Sequence, residues 1–543
     1  TIIDGGQNGS VVTFESGETN NALLKGFSIT NGLKEGSSGG GIYCNANPLL
    51  DDLKIFNNSS YLGGGIFLDE NFNSIISNAN INNNNASLLG GGIYNHSGNI
   101  NLLNVVIQNN NANDGGGIFF NYSDYEITIS NSEISNNTAG DKGGGVFIEG
   151  LSDVNISNTT ISNNSSTGYG AGLYVVENTV LNINNSIIEG NITGSPPTAD
   201  YGGGIYCKDS NISLSDVVID DNTAHEGGGA YIQNSPTIFN NVEVINNSAD
   251  WSGGGIKIHD TEVTSFSNVL FHNNYALNNG GGGKGAGLYI GSTTSSVNNC
   301  TFESNSASVD GGGIYLTSNS IIDIYNSILW NNSPQEISYD DDSYPQIMTL
   351  SFNDVENGLS GIPIPQNMTI NWLEGNIDTD PLFSNADSSD FTLQWGSPCI
   401  DAGDPSSPLD PDSTIADMGA YYFHQTPGCI DPTAINYDPN ADTDDGSCEF
   451  EEDNITWLNS NFLGGSTYEL DAFQYNYEND IWTDYTYQTW GTEGNPMRAA
   501  YNSNTHQNFV VLARSAGGGG YQLDVYDISS NTWDTQEFYS FPD

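Results

Sequence analysis

"GGGIYLTSNS", Gly311–Ser320, begins with a phrase that the chain repeats. GGGIY or a close variant starts at Gly39, Gly63, Gly90, Gly115, Gly143, Gly170, Gly202, Gly227, Gly253, Gly285 and Gly311. Gly39 to Gly311 is 272 residues over ten intervals, a mean of 27.2. A period of this size marks a stacked repeat architecture. A second marker runs in phase with the first: an aliphatic or Phe, two residues, then Asn. It ends at Asn58, Asn84, Asn110, Asn137, Asn164, Asn191, Asn222, Asn247, Asn274, Asn305 and Asn332. From each of these Asn to the next glycine trio the distance is 5 or 6 residues, except twice, when it is 11. The exceptions are Ile192–Tyr201 and Tyr275–Lys284. Length varies at one corner only, so that corner is read as a surface loop on a fixed coil.

Side chains alternate with period 2 after each trio. The first residue is apolar in all eleven units and the third is apolar or Cys in all but Asn95; Tyr or Phe sits between them in ten units, with Lys257 as the exception. This is a strand with its first and third residues inward. Two more short β-rich runs follow in each unit, and no helical periodicity appears. Three short strands per unit, stacked at about 4.8 Å, describe one rung of a parallel β-helix. Glycine suits a corner where adjacent backbones lie close and φ turns positive. Asn tolerates the left-handed region and stacks in amide ladders.

The eleven units resemble the glycine–aliphatic and F-x-x-N repeats of polymorphic outer-membrane proteins, and more broadly bacterial right-handed β-helices. The Phe of F-x-x-N stands at Phe271 and Phe302; elsewhere Ile mostly replaces it. The resemblance covers residues 1–424 and implies an all-β, right-handed solenoid in an extracellular setting: repeats at 39–332, then a closing segment at 333–424. "GNIDTDPLF…DFTLQWGSPCIDAGD…DSTIADMGAYYF" resembles the end of the coil in secreted β-helix proteins of Bacteroidota-like bacteria, so the coil is extended to His424. Its Asp residues (Asp401, Asp404, Asp410, Asp412, Asp417) read as turn formers, with ion binding as the other option.

"GCIDPTAINYDPNADTDDGSCEF", Gly428–Phe450, looks like a cysteine-framed module of such secreted proteins, with a loop resembling thrombospondin type 3 calcium repeats. It defines a linker module at 425–453. The resemblance implies a Cys429–Cys448 disulfide in an oxidising compartment. Asp438, Asn440, Asp442 and Asp444 alternate as Ca²⁺ ligands do in loop sites; the bland reading is a stapled acidic linker without metal. The remainder, 454–543, carries two Gly-Gly/aromatic/Trp units, with Trp482 and Trp533 51 residues apart. These resemble kelch repeats and imply the start of a β-propeller, incomplete at about two blades.

The 66 acidic residues against 9 basic give a net charge of −57. Such a surface repels nucleic acid and anionic lipid. No apolar run approaches 18 residues, so no membrane-spanning helix is expected. Cys44 and Cys207 hold the same inward position six units apart and cannot pair; Cys300 and Cys399 stay open.

A polysaccharide lyase or glycoside hydrolase is the alternative that β-helices bring with them. Both arginines, Arg498 and Arg514, lie in the tail, and the seven lysines of 1–454 look scattered. Asp220 and Asp221 read as corner polarity, the histidines share no ligand spacing, and the catalytic set is therefore read as none. One surface feature remains. Tyr43, Phe67, Tyr94, Phe119, Phe147, Tyr174, Tyr206, Tyr231, Tyr289 and Tyr315 form a strip, which is either an exposed contact surface or rings stacked on each other. The expectation is a non-enzymatic segment of a secreted adhesin or appendage. Ca²⁺ would be its sole cofactor, its partners cell-surface or glycan ligands, and homo-oligomeric or filamentous assembly is compatible with it.

Overall fold

The computed structural model describes residues 1–69, 72–121, 126–194, 200–278, 281–340, 344–363 and 368–450, and beyond them the backbone of six strands between 455 and 539. Arg498 and the middle of both variable loops lie outside the described residues. The chain divides into two compact units, Thr1–His424 and Gln425–Asp543.

The first unit is a parallel β-solenoid. Among the described residues its faces are a 13-stranded sheet, an 11-stranded sheet and a 24-stranded sheet bent along a corner. Val180–Glu189 and Asn211–Asp220 each run through both halves of the bent sheet. Thirteen strands at about 4.8 Å make a solenoid about 58 Å long. The alternation places Ile66, Ile93, Ile118 and Val146 in register, all fully buried. Cys44, Cys207 and Cys300 are free and fully buried in that core, and Cys399 is free and buried in a separate cluster with Ile328, Leu393 and Met418.

The repeated Asn residues form one continuous buried ladder. Each amide from Asn58 to Asn305 donates to the carbonyl of the rung before it and to the Oδ1 of the next Asn, and Asn332 ends the row on the Glu336 carboxylate. Asn164 Nδ2, for example, reaches Ile134 O at 2.9 Å and Asn191 Oδ1 at 3.0 Å, and its own Oδ1 accepts from Asn137 N and Nδ2. The left-handed turn belongs to the residue before the ladder Asn: Asn57, Asn83, Asn109, Asn136 and Asn163 have φ of 52–56°. The repeated Asn is thus held by its amide bonds, and its neighbour does the turning. A second left-handed row bends the large sheet at Asn78, Asn104, Asn131 and Asn158. A Ser/Thr ladder lines a further corner, where Thr179 N donates to Ser210, Ser210 N to Ser235 and Ser235 N to Thr261.

The glycine trio is required by close approach. A Cβ on Gly145 would lie 2.7 Å from Gly172 O and 3.0 Å from Asn164 Nδ2, and Gly143 has φ +64°. Only the middle position tolerates more, since Ala171 and Ala286 occupy it in two units.

The closing segment departs from expectation. Solenoid strands end with Met368–Trp372. The chain then folds back along the outside of the bent sheet instead of continuing the coil to His424. Asp404 N donates to Asn326, Ala420 N to Thr301, and the Tyr421 hydroxyl to Glu243, 178 residues earlier. Under this strap the outward row is covered: Leu270 and Ile328 are buried, whereas Lys54, Glu133 and the equally apolar Ile187 are exposed in the same row farther up the coil. The strap therefore decides which residues of this row are buried.

In the second unit, Cys429 and Cys448 form a disulfide with Cα atoms 4.7 Å apart. Two three-stranded antiparallel sheets follow, Ile455–Gly464 with Thr467–Asn476 and Ile481–Gly491, then Phe509–Ser515 with Tyr521–Asp527 and Thr532–Tyr539.

Candidate functional site

The tight glycine corner brings the residue preceding each trio close to the ring row that follows it. Leu62 and Leu89 pack against Phe67, Tyr94 and Phe119 in this way. The rings themselves stack rung on rung: Tyr43–Phe67 at 5.4 Å, Phe119–Phe147 at 4.3 Å, Tyr174–Tyr206 at 5.0 Å and Tyr289–Tyr315 at 5.3 Å. Tyr169 and Tyr201 add a second pair of rings beside the row, tilted to each other at 5.4 Å, with Tyr201 stacked on Tyr231 at 4.7 Å. Phe67, Tyr94, Phe119, Phe147, Tyr206, Tyr231 and Tyr315 are buried, while Tyr43, Tyr174 and Tyr289 are half-buried. Of the two readings of the strip, stacked rings are what is observed: the ring faces cover one another, and little apolar surface is left open.

The lysines are not scattered. Four of the seven in 1–454 stand over this strip: Lys34 at 4.5 Å from the Tyr43 ring centre, Lys142 at 5.8 Å from Tyr174, Lys257 at 4.6 Å from Tyr289 and Lys284 at 4.8 Å from Tyr315. An ammonium over an aromatic face is attracted by the ring quadrupole. Lys257, the break in the ring row, fills the gap between Tyr231 and Tyr289 and pairs with Glu226 at 2.9 Å and Ser252 at 3.0 Å. Burial lowers the Lys257 pKa despite the opposing pull of Glu226. Beside it the Tyr231 hydroxyl donates to Nε2 of His259 (2.6 Å), whose Nδ1–H donates to Asp260 (2.8 Å). Lys284 donates to the Tyr315 hydroxyl at 2.7 Å. Burial raises the pKa of the Tyr174, Tyr206, Tyr231 and Tyr315 hydroxyls, and that of Tyr43 to about 12. These phenols are therefore neutral donors at ordinary pH.

The sequence exposed the ring row through its period. It did not expose Glu226, His259 or the lysine gathering. The one available signal was that Lys142 and Lys284 both precede a trio. Asp220 accepts from Asn246 Nδ2, and Asp221 has φ 51°, so both act at a corner. In the cysteine module Asp438 and Asp444 close turns, accepting from Asn440 N and Gly446 N, while Asp442 accepts from Thr426 N and ties together segments 16 residues apart. Among the described residues, no three His, Cys, Asp or Glu side chains gather closely enough to hold a metal ion. No helix among them is long and apolar enough to cross a membrane.

Residues 96–225 and 144–329 match the family of the right handed beta helix region. With the stacked parallel sheets, this makes the first unit a right-handed parallel β-helix. No curated protein matches the chain.

Proposed function

We propose that the chain is a non-enzymatic segment of a large secreted cell-surface adhesin or extracellular appendage, in which the β-helix serves as a stiff rod for attachment. The observation that supports this is the unbroken eleven-member Asn ladder, Asn58 to Asn332, which ties every rung to the next through buried amides. A β-helix of this kind resists bending because no rung can shift without breaking directional bonds. The disulfide suits an oxidising, extracellular compartment. The two antiparallel sheets of the second unit are read as kelch-like blades, and the acidic loop as a Ca²⁺-responsive linker. The test is attachment of cells carrying and lacking the gene to abiotic and cell surfaces. Loss of attachment without loss of polysaccharide degradation is expected; unchanged attachment removes the reading.

One observation favours a second reading. The Tyr231–His259–Asp260 chain beside the desolvated Lys257 is an acid–base set of the kind that proton abstraction uses, and β-helix regions occur in enzymes as well as in non-enzymes. Steady release of unsaturated or reducing sugars by the purified chain, abolished in Lys257→Ala and His259→Ala, would make this the better reading.

A further inference from the structure

The outer face of one half of the bent sheet differs from the rest of this acidic surface. Over five rungs, Val180–Glu189 to Thr294–Asn298, its outward row reads Asn182, Ser213, Ile238, Ser265, Ser296, in direct register. The parallel row from Asn184 to Asn298 is Asn or Ser throughout, and the row on the other side, from Val180 to Thr294, also lacks charge. Acidic residues stand at the flanking corners instead, at Asp209, Asp216 and Asp260. The backbone here is fully paired within the sheet, so the face offers side chains only. Among the polar groups lie three exposed apolar side chains, Val180 (38%), Ile238 (54%) and Val263 (60%).

We infer that this face binds a neutral, hydroxyl-rich polysaccharide; the inference rests on the attachment reading above. Its side chains both donate and accept hydrogen bonds, as sugar hydroxyls do. The apolar side chains among them suit the C–H faces of sugar rings. A net charge of −57 disfavours anionic polymers, and a cationic partner would select the acidic corners. The face measures about 24 Å by about 17 Å, on the order of 400 Å², half of the about 800 Å² per partner that a stable protein interface buries. A second copy is therefore a poorer occupant than a polymer, which gains by repeating its contacts along the rungs.

The test is retention of the full chain on insoluble cellulose and on chitin, with alginate as the anionic control. Retention on at least one neutral polymer is expected, and none on alginate. Ser213→Glu with Ile238→Glu should weaken it at least tenfold, Ile238→Ala should weaken it by a smaller factor, and Gln108→Glu, on the other half of the sheet, should leave it unchanged. Retention on neither neutral polymer overturns the inference, and so does retention indifferent to both variants at position 238. Light scattering in which the wild type self-associates and the double variant does not would assign the face to a second copy and overturn it as well. Attachment of cells that survives the double variant would sink this inference while leaving the attachment reading in place.

Discussion

The Asn ladder and the ring strip both stack one kind of side chain at one-rung spacing, yet they obey different rules. The ladder keeps Asn in all eleven rungs, whereas the strip mixes Tyr with Phe and admits Lys257. The ladder amides satisfy buried backbone: Asn164 covers both Asn137 N and Ile134 O, groups that no other side chain in the corner reaches. Loss of such a partner leaves a buried polar group unsatisfied. The rings contribute area and stacking, which depend on shape more than on identity. Directional bonds therefore fix the residue, while dispersion fixes only its size.

The largest effect that could break this comparison is expected at the ladder. Asn164→Leu keeps volume but orphans Asn137 N–H and Ile134 C=O, and should cost about 4 kcal/mol by urea unfolding. A loss below about 1 kcal/mol would place the ladder on the same footing as the strip. Next comes the ion pair within the strip. Glu226→Ala leaves Lys257 buried without its carboxylate and should cost about 3 kcal/mol. Combining Glu226→Gln with Lys257→Tyr, which restores the ring row, should recover most of that loss. Failure of the double variant to recover would show that the break at Lys257 is needed for more than packing. Phe119→Tyr, a ring-for-ring exchange in the stack, should stay within about 1 kcal/mol of wild type.

The last expected effect is a slope with pH, set by the strap and by the end of the ladder. Burial raises Asp417 to about 7, with Asp410 and Asp401 adding repulsion, while backbone N–H groups of Phe423 and Asp401 pull the other way. Asp410 is raised to about 6 for the same leading reason. At the end of the ladder, burial raises Glu336 to about 8 although Asn332 donates to it, and Glu356 adds to the rise. Each group has a folded pKa above its unfolded value. The stabilisation is therefore complete below about pH 4 and is lost as pH rises through about 6 to 8. The unfolding midpoint should fall from pH 5 to pH 8, the opposite of ordinary acid denaturation. Asp417→Asn forfeits one backbone acceptor, so it lowers the midpoint overall, but it should flatten the slope. An unchanged slope would move the titration to Glu336, where Glu336→Gln checks it.

The sequence by itself determined the solenoid, the inward phase of its strands, the Asn ladder and the ring row, because each is written by a short period that survives in all, or all but one, of the eleven units. Period-2 alternation places Ile66 inward and Phe67 outward with no knowledge of the rest of the chain. It misassigned the left-handed residue by one position, since a pair such as Asn163–Asn164 does not say which member turns and which bonds. Ile187, apolar in the same outward row as Leu270 and Ile328, stays exposed, so apolar letters alone do not announce a cover over the latter two. Only the tertiary structure decided what covers them, how Lys34, Lys142, Lys257 and Lys284 come to share one strip, and why the outward rings are buried. Those contacts join residues of different phase in the repeat or, as with Tyr421 and Glu243, residues 178 apart. Spacing along the chain carries local geometry. It cannot carry the return path of a segment whose partners are set by which surface is left to bury.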